Sequence, residues 1–158
     1  MEKESKYKSL LSFLTRPWFI ETAVFFLVLW QESFRLSART SHQILPINQN
    51  LQNYYYYNFG DFVNGYIMAY IIDGIINFTL LKSSASYKFS RFEVTKRRSI
   101  SIATLISISV VVVFELSQST ATTSDVNDIP AGIAGAILYY LIRLFSLKMT
   151  AQYEKRLK

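Results

Sequence analysis

The 158-residue sequence has no cysteine, a single histidine, three prolines and five glycines. The absence of cysteine excludes disulfide frameworks, thiolate metal sites and cysteine nucleophiles. With His42 alone, a multi-histidine metal centre is excluded too, and a Ser-His-Asp arrangement could be built only around that residue. Charge is also scarce. Asp, Glu, Lys and Arg make up 18% of the chain, against about 25% in an ordinary soluble domain. Hydrophobic residues reach 51% and aromatics 16%, while seventeen Lys and Arg against eleven Asp and Glu leave a net charge of +6. This is the composition of a membrane protein, at a length that suits one domain.

A helix needs roughly 20 mostly apolar residues to cross the hydrocarbon core. Four stretches approach that, at 18–36, 62–81, 100–116 and 129–149. The second is interrupted only by Asn64, Asp73 and Asn77, and the fourth opens on Pro130, which a first helical turn accepts. The first is the weakest, because its apolar run AVFFLVLW gives way to Gln31, Glu32 and Arg35. The run Val110–Val113 would suit a buried strand in a small soluble α+β domain. Such a domain would lack the polar residues to cover its own surface. The expected fold is therefore all-α: a polytopic bundle of four transmembrane helices forming a single domain.

Orientation follows from Lys and Arg in the short flanks. Lys3, Lys6, Lys8 and Arg16 precede the first span, and Lys148, Lys155, Arg156 and Lys158 follow or close the fourth. Loop 82–98 holds Lys82, Lys88, Arg91, Lys96, Arg97 and Arg98, whereas the other two connections hold only Arg35 and Arg39 between them. Both termini and the basic loop are thus expected on the cytoplasmic side. The basic loop reads as an anchor at anionic lipid heads, not as a nucleic-acid site. No small-x-small cleavage site follows Trp30, so the first span is expected to stay as an anchor. Segment 46–59, with four consecutive tyrosines, reads as an aromatic segment at the outer headgroup level.

Carboxylates inside hydrocarbon are costly and face a bundle interior or a wet cavity. Two sets stand out. Asp61 with Asn64, Glu115 with Gln118, and Asp125 with Asp128 are each spaced i,i+3, and all lie at the outer ends of their segments. They are candidate ligand- or partner-binding residues, with Arg35 and Arg39 as available counter-charges. Asp128 also reads as an N-cap of the fourth helix. The deeper set is Glu21, Asp73 and Arg143, which fall at similar depth when counted at about 1.5 Å per residue. Gly132, Gly135 and Ala136 form a small-residue surface for helix packing, expected against the third span or a neighbouring subunit.

FELSQ at 114–118 and SDVNDIPAGIAGA at 124–136 resemble the VanZ-like family of small bacterial membrane proteins. Glu115 and Gln118 match its Glu-x-x-Gln element, Asp128 and Gly135 match the ends of its Asp-x-x-x-Asn-x-x-Gly element, and GDFVNGY at 60–66 matches its earlier aspartate. The resemblance spans about residues 60–142. It departs at Gly132, where asparagine is usual, in a turn 119–127 without arginine, and in the lack of a histidine after Asp61. The resemblance implies a multi-pass protein of the bacterial inner membrane, associated with the envelope. The family's namesake is linked to teicoplanin resistance.

Three functions are compatible with these residues. The first is a non-catalytic envelope accessory, or subunit of a larger membrane assembly, that uses no cofactor. Its partners would be membrane lipids, a protein partner or second copy, or an extracellular amphiphile, and no nucleic acid. The second is a metal-assisted enzyme on a lipid-linked substrate, with Asp61, Glu115, Asp125 and Asp128 around Mg²⁺ or Ca²⁺. The third is a proton- or ion-coupled carrier using Glu21, Asp73 and Arg143.

Overall fold

The structure, a computed structural model, describes residues 17–41, 43–81, 86–89, 92–117 and 128–157. Among them are four helices and one hairpin: α1 (Pro17–Thr40), α2 (Gln49–Ile76), β1 (Ser86–Phe89), β2 (Phe92–Thr95), α3 (Lys96–Ser117) and α4 (Asp128–Leu157). Helix α2 runs on into a π-helical turn, Asn77–Leu81. The fold is helical as expected, and the hairpin is an addition to it.

Among the described residues, three helical segments are long and apolar enough to cross a membrane: Gln49–Leu81, Lys96–Ser117 and Asp128–Gln152. The protein is a helical membrane protein. Helix α1 has the length, with 24 residues, but Glu21, Gln31, Glu32 and Arg35 dilute its apolar run. The four-span expectation thus reduces to three clear spans and a fourth, more polar helix.

Helix α2 begins at Gln49, well before the expected start of the span at 62. Asn48 caps it, its side chain accepting the Asn50 N–H at 2.8 Å. The tyrosine segment is therefore the first turns of this helix. Two of its rings find partners that hold it there. The Tyr56 hydroxyl donates to the Gln43 carbonyl at 2.7 Å, and the Tyr55 hydroxyl accepts from the Gln31 amide at 2.8 Å. Together with its π turn the helix has 33 residues, about 50 Å at 1.5 Å per residue. A hydrocarbon core of about 30 Å cannot contain it, so the tyrosine end projects beyond.

Helices α2, α3 and α4 pack against one another, and α1 lies against α2 and α4. Their shared core consists of Val28, Val63, Tyr66, Ala69, Ile100, Ala136 and Tyr139. Glycines set the α2–α4 crossing. A Cβ on Gly135 would stand 1.8 Å from the Phe62 carbonyl oxygen, and one on Gly65 would stand 2.0 Å from that of Gly132. The small face of α4 is thus turned mainly to the second span, while the expected third span contributes Val111 beside Gly132. Gly65 is also where α3 is tied in, because Ser107 Oγ donates to its carbonyl at 2.9 Å. Small residues and hydroxyls replace hydrophobic driving force between helices in lipid. Leu27, Ile75, Leu105, Val113 and Leu141 point outward from the bundle, a flank suited to acyl chains.

The hairpin lies within the basic loop 82–98. Its strands are antiparallel, pairing Ser86 with Thr95 and Phe89 with Phe92, and Val94 is buried.

Candidate functional site

Two polar sites lie at different depths. At the bundle end away from the hairpin, the start of α4 meets the early turns of α2 and the last turn of α3. Asn58 Nδ2 donates to Asp128 Oδ1 at 2.6 Å, joining α2 to the first residue of α4. Asp128 also sits favourably at the positive end of its own helix dipole. The Asp61 carboxyl stands beside that of Asp128 and within electrostatic reach of Glu115. Three carboxylates expected in one layer are therefore neighbours. Gln118 and Asp125 lie outside the described residues, as does His42.

The expected counter-charges are engaged elsewhere. Arg35 is buried and donates to both oxygens of Glu32, at 2.6 and 2.8 Å, and to the Tyr56 carbonyl at 2.5 Å. Arg39 lies over the Tyr57 ring, 4.8 Å from its centre, a cation–π contact. Both arginines bind α1 to α2, and neither makes an ion pair with Asp61, Glu115 or Asp128.

Between α2 and α3 a groove of about 450 Å³ runs from this acidic layer along the bundle flank. Asp61, Asn64 and Glu115 form its polar end, and Ile67, Ile71, Val111 and Phe114 are among the residues of its apolar walls. From Asp61 to Ile72 it follows eleven residues of helix, about 16 Å, or half the hydrocarbon thickness. Its volume lies within the range of about 300–1,000 Å³ typical of small-molecule sites. Among the described residues, no three Asp, Glu or His side chains converge as a metal site.

The deeper site brings Glu21, Asp73 and Arg143 together. Asp73 is 2% exposed. Its Oδ1 accepts from Ser99 Oγ at 2.5 Å and Asn77 Nδ2 at 2.8 Å. Its Oδ2 accepts from Tyr139 OH at 2.6 Å and Arg143 Nε at 3.2 Å. The other side of the guanidinium donates from Nη1 to Glu21 Oε1 at 2.5 Å. All four helices thus share one ion-pair network, in which every acceptor oxygen of Asp73 is occupied. Hydrogen-bonded, paired charges of this kind are the form in which ionisable groups survive in hydrocarbon.

Sequence reasoning missed Asn58, Asn77, Ser99 and Tyr139. Two of them carried a signal. Asn77 follows Asp73 by four residues and Tyr139 precedes Arg143 by four, the spacing of neighbours on one helical face. Ser99 reaches Asp73 across helices, which no local pattern encodes.

No family model, curated protein or solved structure matches this chain.

Proposed function

We propose that the protein is a non-catalytic envelope accessory of VanZ-like type that holds an amphiphile at the outer side of the bacterial inner membrane. On this reading α1 is a fourth span, and both termini face the cytoplasm with the basic hairpin. Pairing of its charges supports the crossing of α1: Glu21 with Arg143, and Glu32 with Arg35. The groove carries the functional reading. A polar end of Asp61, Asn64 and Glu115 continues into an apolar channel on the bundle flank, which is the outline of a molecule with a polar head and a chain. The deep network is then structural, a lock that fixes the four helices while the groove stays open.

Photo-crosslinking tests this directly. A benzophenone side chain is placed at Ile71, in the groove wall, and in a second protein at Leu141, on the exposed flank of α4. In native membranes the Ile71 probe is expected to capture a small set of amphiphiles absent from the Leu141 adducts. If mass spectrometry finds the same bulk lipids at both positions, the groove is ordinary lipid-facing surface and the reading fails.

A further inference from the structure

The charge of the groove narrows what it accepts. Glu115 is 8% exposed and lines the groove, yet among the described residues its carboxylate has no hydrogen-bond or ion-pair partner. Buried carboxylates ordinarily have such partners. Asp61 meets the carboxyl of Asp128, a second acid and not a basic partner, so negative charge gathers behind the groove. Among the described residues no lysine or arginine lines the groove, and Arg35, on the adjoining helix, is held by Glu32 and the Tyr56 carbonyl. The polar end therefore offers acceptors in excess: two carboxylates and the Asn64 side-chain oxygen.

We propose that the groove binds an amphiphile with a cationic primary-amine head and an aliphatic chain, entering sideways from the bilayer leaflet. This rests on the amphiphile reading above and specifies the head. An ammonium group carries three N–H donors and no acceptor, matching Asp61, Glu115 and Asn64 in number and sign. Its burial there neutralises charge that is otherwise uncompensated, the condition under which ion pairs in a desolvated site contribute to affinity. A phosphate-bearing head, even a zwitterionic one, brings an anion against carboxylates with no basic group to receive it. The apolar walls from Ile67 to Ile72 take the chain.

The test uses the full-length protein in phosphatidylcholine nanodiscs and a dodecylamine carrying a photoreactive diazirine in its chain. Labelling at the groove is competed by unlabelled dodecylamine, by lysophosphatidylethanolamine, by dodecyl sulfate and by a neutral monoacylglycerol. Dodecylamine is expected to compete most strongly. Glu115→Gln and Asp61→Asn, which keep side-chain shape, are each expected to weaken its competition about tenfold, the size of one charged hydrogen bond. The weak competition by monoacylglycerol should not change in either variant. Equal competition by all four heads, or unchanged dodecylamine binding in both variants, overturns the amine assignment but leaves a groove that accepts chains. If dodecylamine labels nothing in the groove and no competitor protects it, the assignment falls together with the reading beneath it.

Discussion

A methyl group is the smallest addition that can be made to Gly135, and there is no room for it. The carbonyl of Phe62 would lie 1.8 Å from the new carbon, so α2 and α4 must separate. Gly135→Ala is expected to cost about 1–3 kcal/mol, as overpacking does elsewhere, read as earlier unfolding in a denaturant titration of the detergent-solubilised protein. Gly74 is the control. Nothing stands within 4 Å of a Cβ there, and Gly74→Ala in mid-helix is expected to stabilise by about 0.5–1 kcal/mol. Opposite signs from one substitution in neighbouring helices separate crowding from helix propensity. Asp73 makes a similar contrast with its partners. Tyr139→Phe removes one of four donors, and hydrogen bonds between membrane helices average about 0.6 kcal/mol. Asp73→Ala leaves Ser99, Asn77, Tyr139 and Arg143 all short of an acceptor, and breaking a buried pair in this way costs about 3–5 kcal/mol. The two substitutions combined should fall well short of their sum, since they share one network.

Helix α1 is attached at two levels, by Arg143 and Asp73's network at one and by Gln31, Arg35 and Arg39 at the other. Arg35 is the anchor of the second level, because it reaches the Tyr56 carbonyl as well as Glu32. Arg35→Ala is expected to raise amide exchange about tenfold in 31–40 and 49–57, the equivalent of one charged hydrogen bond, and to leave α3 unchanged by hydrogen-exchange mass spectrometry. Apolar run length made three of the helices legible: α3 and the end of α2 with its π turn lie within four residues of the expected bounds, whereas α4 runs to Leu157, eight residues past the expected 149. The start of α2 was not legible. Four tyrosines in a row have no helical periodicity, and what keeps them helical is contact with Gln31 and Gln43, far away along the chain. The hairpin was hidden for a related reason: Lys88 within SYKF and the basic residues flanking both strands dominate the reading of loop 82–98, while Val94, the buried position, is a single residue. Convergence of Glu21, Asp73 and Arg143 was readable from depth alone. The redirection of Arg35 and Arg39 away from the outer acids was not, since their partners, Glu32 and Tyr57, are ordinary surface types.

For the protein in its bilayer, the proposed arrangement predicts where each connection lies. A phosphatase reporter is expected to be active when fused in 119–127 and inactive after Lys158 or within 82–85, with the chain resisting alkaline carbonate extraction. A reporter active after Lys158 would reverse the groove to the cytoplasmic leaflet. Arg143 also imposes an order on synthesis. Its guanidinium pairs with Glu21 across 122 residues of chain, so an emerging polypeptide carries the acid of its first helix and that of its second before the matching cation has left the ribosome. Until the last helix arrives, Glu21 has only water, lipid heads or a protonated form to rest in, and Asp73 has only the neutral donors of Asn77 and Ser99. A copy that stalls early therefore displays an unmet charge in its spans, and with it a mark by which a membrane protease can tell the unfinished product from the finished one.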